Sequence, residues 1–233
     1  PGGTFHTGME LAMVREGSPL LIVQPRFVDE DGRLYFEGGF RSGDEPQDSI
    51  QISRYDRSTG ETASLGWAWR TPPIVTRIEG GVRTRQIRMA PRDDWAVAPD
   101  GSVAFVRANG YRVEWHLPDG RVVTGPSNPV ETPALTDEDK YAHFEAPRPA
   151  GLRVSVFQGS DGGAEMSMTR AGGGGRPREE IDLTRYEWAD RYPPFRWGQA
   201  SIAPEDRLWV QRWLNRDCSP RLKTGASCRL VRH

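Results

Sequence analysis

The chain has little with which to staple, anchor or charge itself. It holds two cysteines, Cys218 and Cys228, too few for a scaffold held by several disulfides. Its longest aliphatic run is Leu20–Val23, far short of the roughly 18 apolar residues of a membrane-spanning helix. The 31 basic and 32 acidic residues leave a net charge of −1, so no global basic field marks a nucleic-acid binder. Lysine is almost missing: Lys140 and Lys223 stand among arginines. Those arginines are scattered, which fits a GC-rich genome better than a phosphate-binding device. The chain starts Pro1-Gly2-Gly3. Either a segment has been removed or the chain is a piece of a longer protein.

Glycine and proline are abundant instead, 26 and 19 residues in 233. That is above the ordinary share yet below the level of low-complexity disorder. Hydrophobic residues at 36%, with glycine added, are enough for a packed core. The composition is that of a β-rich domain punctuated by turns.

A hairpin pattern recurs. Phe27–Phe36 is apolar, turns through Asp29-Glu30-Asp31-Gly32, and is apolar again. Trp95–Val106 repeats this around Pro99-Asp100-Gly101, and Ser201–Val210 repeats it with Asp206 in place of the glycine. Glycine in such turns supplies positive φ, and proline sets the entry. A second, more polar hairpin follows each of the first two, Ile50–Leu65 around Asp56–Gly60 and Tyr111–Thr124 around Pro118-Asp119-Gly120. Two hairpins make a four-stranded antiparallel unit of about 45 residues, the period of a propeller blade. Val103–Val106 is apolar on both faces, as a strand between two sheets requires. Tyr111, Val113, Trp115 and Leu117 alternate with Arg112, Glu114 and His116, which predicts one packed and one wet face.

The middle of the chain is less regular. Thr136 followed by Asp139 forms a capping box, so a short helix should run to about Glu145 and end before Pro147. Leu152–Phe157 and Ala164–Thr169 read as strands joined by a glycine-rich turn, and Gly172–Gly175 as a flexible loop. Residues 214–233 read as a loose basic tail.

The segments Phe27–Gly38, Arg54–Gly60, Trp95–Gly101, Tyr111–Trp115, Pro118–Val122 and Tyr192–Phe195 together resemble bacterial six-bladed β-propeller proteins, mostly exported. The resemblance spans about Leu20 to Trp213. It implies an all-β propeller of four-stranded antiparallel blades, with about three to four blades present in residues 1–213 and a helix and Gly-rich insertion at about 130–196. It implies no established activity.

Sites are few. Asp29-x-Asp31-Gly32 starts like a calcium loop, but Gly38 stands where the final glutamate belongs, so a hairpin turn is the better reading. Gly172–Gly175 lacks the Lys-Ser/Thr of a phosphate loop. Gly17-Ser18-Pro19 is no nucleophile elbow. His6, His116 and His143 share no metal spacing, and His116 reads as an ordinary surface histidine. Asp93 and Asp94, beside Arg92, lead an inner strand. They read either as a pocket or cation site at the mouth of a ring, or as an Arg–Asp pair stitching neighbouring blades; the second is favoured, since no matching ligands from other blades can be named. Trp95, Trp115 and Trp209 read as core, whereas Trp67, Trp69 and Trp197 are candidate ligand or partner contacts. Cys218 and Cys228 are either a disulfide or two free thiols.

The expected function is therefore a non-enzymatic, extracytoplasmic binding or scaffold module, its signal sequence not in this chain. No cofactor is called for. A protein partner or self-association should cover apolar blade faces near Leu20–Val23 and near Ile202, Leu208 and Trp209. Nucleic acid and a transmembrane segment are not expected. The alternatives are a metal-dependent propeller hydrolase of the lactonase type and a truncated remnant without its own activity.

Overall fold

The computed structural model describes residues 12–15, 20–23, 25–38, 48–79, 81–146, 151–158, 164–171, 175–203 and 207–213. They belong to two compact units. The larger runs through Ala134 and resumes at Tyr186; the smaller contains Leu135–Arg185. Strands dominate, and all pairings but one are antiparallel. No helix among the described residues is long and apolar enough to cross a membrane.

In the larger unit, β1 (Ala12–Arg15) and β2 (Leu20–Val23) form a hairpin. Next, β3 (Phe27–Val28), β4 (Leu34–Glu37), β5 (Ser49–Tyr55) and β6 (Thr62–Trp69) make a four-stranded antiparallel sheet in sequence order. A separate two-stranded ribbon follows, β7 (Ile74–Ile78) and β8 (Gly81–Arg85), then the short β9 (Ile87–Arg88). A second four-stranded sheet is built the same way from β10 (Asp94–Val97), β11 (Val103–Arg107), β12 (Arg112–His116) and β13 (Val122–Thr124). In the smaller unit lie α1 (Asp137–Glu145) and the hairpin of β14 (Gly151–Gln158) and β15 (Ala164–Ala171). Back in the larger unit, β16 (Glu187–Trp188) pairs in parallel with β9, and β17 (Ser201–Ile202) pairs with β18 (Leu208–Trp209).

The tight turns follow from residue type. Gly101 and Gly120 close β10–β11 and β12–β13 at φ of 85° and 84°, a region costly for residues with a Cβ. Before each, an aspartate accepts from the backbone two residues on: Asp100 from Ser102 N and Asp119 from Arg121 N. In the smaller unit the capping box forms as the sequence indicates. Thr136 Oγ1 accepts from Asp139 N, and Asp139 Oδ2 accepts from Thr136 N at 2.8 Å. Phe144 is the buried residue of the helix.

The core sits between the two four-stranded sheets. Tyr35, Ile52 and Ala68 from the first pack on Trp95, Val103 and Phe105 from the second. Gly66 lets the sheets approach. A Cβ there would lie 2.8 Å from Phe105 Cζ. The other face of the second sheet is covered too: Ala96 and Val106 pack with Phe195, Ala200, Ile202 and Leu208. The second sheet is thus a central layer, which explains why Val103–Val106 is apolar throughout.

One expectation changes here. The Arg112–Glu114–His116 face is half-buried rather than wet, because it is turned toward the first sheet. Phe105 pairs with Glu114 and Val103 with His116, so they share a face. The His116 ring lies 4.6 Å from that of Phe105, and its Nδ1 is 3.1 Å from Leu65 O. Glu114 accepts from Arg107 at 2.6 Å and Arg112 at 3.0 Å. Pairing with arginine lets this polar face pack where the alternation rule reads water.

Candidate functional site

The charged residues gather at one end of the two sheets. There β4, β6 and β11 finish, and β10 and β12 begin. Asp93 and Asp94 lie side by side in sequence but serve different neighbours. Both are buried, Asp94 fully.

Asp93 joins the two sheets. Its Oδ2 accepts from Trp69 N at 2.9 Å and from Arg107 Nη1 at 2.8 Å, and its Oδ1 from Ala108 N at 2.8 Å. Its own N–H donates to Trp69 O. Asp94 reaches the other way. Oδ1 accepts from Arg26 Nη1 at 2.6 Å and Trp95 N at 3.0 Å; Oδ2 accepts from Ala200 N at 2.8 Å and Gln199 N at 3.1 Å. Arg26 precedes β3, Asp94 opens β10 and Ala200 precedes β17. One carboxylate therefore holds the starts of three hairpins that correspond in sequence.

Arg92 completes this end. Its Nη2 donates to Glu37 Oε2 at 3.2 Å, and its guanidinium lies 3.8 Å from the centre of the Trp197 ring. Burial holds its pKa below the ordinary arginine value, against the pull of Glu37. Glu37 Oε1 accepts from Trp95 Nε1 at 2.9 Å and lies 3.9 Å from Arg26 Nη1. The Arg26 guanidinium lies 5.0 Å from the Trp95 ring. Four carboxylates (Glu37, Asp93, Asp94, Glu114) meet four arginines (Arg26, Arg92, Arg107, Arg112) here.

The Glu114 carboxyl is raised by burial, yet the bonds from Arg107 and Arg112 outweigh that and hold it below its ordinary value. At the opposite, turn end of the first sheet, burial likewise raises Asp29. Bonds from the Arg33 N–H, the Arg33 guanidinium and the Tyr35 hydroxyl outweigh it and lower its pKa. Burial first, and the bond to Asp29 second, push Tyr35 up to about 12.

The sequence candidates thus divide. Arg92, Asp93 and Asp94 come together in one ionic network, with Trp197 stacked on its edge. Trp67 and Trp69 do not face it. They alternate with Ala68, which points into the core, so they lie on the opposite face of the first sheet, 40% and 37% exposed. Trp197 is 44% exposed. Cys218 and Cys228 lie outside the described residues. Sequence reasoning missed Arg26, Glu37 and Arg107, the partners that occupy the acids. Their only signal was position, each at a strand end.

Chemically, this arrangement is a joint. Each oxygen of Asp93 and Asp94 already accepts from a backbone N–H or a guanidinium. Among the described residues, no group of three or more His, Cys, Asp or Glu side chains is arranged to hold a metal ion. Searches of family models, curated proteins and solved structures found no match to this chain.

Proposed function

We propose that this chain is a non-enzymatic binding or scaffold module of the six-bladed propeller type, working outside the cytoplasm as part of a larger assembly. The observation that carries the reading is the bonding of Asp94. Its carboxylate ties Arg26, Trp95 and Ala200, where three corresponding hairpins start. Inner strands that begin around a common point are what a ring of blades requires. A second sheet packed on both faces supports the same reading.

The acidic pair at this mouth would have to leave arginine and backbone donors before it could ligate a cation. Recognition is therefore assigned to the surface, where Trp67 and Trp69 present exposed indoles on one face of an edge strand. Aromatic side chains of this kind anchor protein and small-ligand contacts.

Thermal melts with calcium and with chelator test the reading. A ligand that binds only the folded state raises Tm. The expected result is the same Tm in both. A Tm that rises with calcium and falls on chelation would overturn the proposal in favour of a metal-dependent propeller hydrolase.

A further inference from the structure

The ribbon of β7 and β8 has no third strand among the described residues. Every residue of β7 is exposed, with Ile74 at 37%, Val75 at 38% and Ile78 at 54%. An isolated two-stranded hairpin is marginal in water, and an apolar edge strand is a template for another strand. We infer that β7 is a self-association edge, which pairs antiparallel with β7 of a second copy about a two-fold axis at Thr76. This rests on the assembly part of the reading above and names the partner.

The register follows from the backbone. Ile78 and Gly81 pair across a two-residue connection, so they exchange hydrogen bonds, as do Thr76 with Arg83 and Ile74 with Arg85. The N–H and C=O groups of Val75 and Arg77 then point outward. An antiparallel partner must match outward residues to outward residues, which leaves three central registers. Placing Val75 against the partner's Val75 sets Arg77 against Pro73, which has no N–H to give. Placing Arg77 against the partner's Arg77 opposes like charges. Placing Val75 against the partner's Arg77 avoids both. It also sets Ile74 beside the partner's Ile78 twice, in the closer, non-hydrogen-bonded pairs. The other edge, β8, turns the backbone groups of Val82 and Thr84 outward, but Gly81, Arg83 and Arg85 lie beside them, a glycine and two like charges that make poorer material for a strand interface.

Sedimentation velocity on the full chain at tens of micromolar is the test. Wild type should sediment as a concentration-dependent dimer. Val75→Pro removes an outward N–H and leaves the β7–β8 ladder whole; it should weaken the dimer about tenfold or more through two lost edge bonds. Thr76→Cys is an independent check. The two Thr76 Cα atoms would lie about 4.5 Å apart, so this variant should oxidise to a covalent dimer well beyond the level of Thr84→Cys, which carries the same native cysteines. A wild type monomeric throughout would overturn the inference and leave the melts to judge the binding-module reading. Self-association unchanged by Val75→Pro, with no excess crosslink in Thr76→Cys, would overturn it while the assembly reading stands.

Discussion

β7 and β11 are both five residues long and are made of similar material. Ile74-Val75-Thr76-Arg77-Ile78 and Val103-Ala104-Phe105-Val106-Arg107 each combine β-branched residues with one arginine. In β11 the first four residues are buried, whereas in β7 all five are exposed. β propensity made both strands; neighbours alone separate them. β11 has a strand on each side, a sheet on one face and the β17–β18 hairpin on the other. β7 has only β8. The arginines differ in the same way. Arg107 is held by Asp93 and Glu114, while Arg77 is exposed.

The largest effect should come from the joint that holds the buried strand. Asp94→Ala takes away the carboxylate that accepts from Arg26 and from the N–H groups of Trp95, Gln199 and Ala200, and leaves Arg26 with the longer contacts to Ala200 O and Glu37. Removing one partner of a buried ion pair costs about 3–5 kcal/mol. Urea melts should show a loss of that order, with faster amide exchange in β10 and β11. A loss under about 1 kcal/mol would mean the joint contributes little to the buried side.

Acid should act next, and on the same side of the comparison. Asp29 and Glu114 both have pKa values lowered in the fold. A lowered carboxyl contributes stability that is present above its unfolded value, near 4, and is lost as pH falls through the folded one. The urea midpoint should therefore hold near neutrality and drop below about pH 4. Glu114→Gln should flatten that drop. An unchanged acid limb in this variant would remove Glu114 from the account.

The smallest effect should lie in the ribbon. Ile78→Ser, measured at dilutions where the chain is monomeric, should shift stability by no more than about 0.5 kcal/mol, as for other exposed positions. A loss comparable to that of Asp94→Ala would show that β7 is packed in solution, and the contrast between the two strands would fail.

Parts of this were legible in order along the chain. Pro99-Asp100-Gly101 and Pro118-Asp119-Gly120 announced their turns, because only glycine takes that φ cheaply. Thr136 and Asp139 announced the helix start. The β7–β8 ribbon carries a weaker signal, Glu79-Gly80-Gly81 as a turn between two β-branched runs. The pairing of Ile87–Arg88 with Glu187–Trp188 left no local trace, since it joins segments far apart in sequence. The alternation in β12 was misleading about burial, because period shows that two faces differ and not what lies against each.

The sequence by itself determined the local conformations: where the chain turns, where the helix is capped and which residues alternate. These depend on φ, on short-range hydrogen bonds and on side-chain parity, all decided within a few residues. Only the tertiary structure decided what Asp93 and Asp94 do. Arg26 and Ala200 reach Asp94 from 68 and 106 residues away, and whether a carboxylate meets arginine, metal or water depends on which strand ends the fold brings to it.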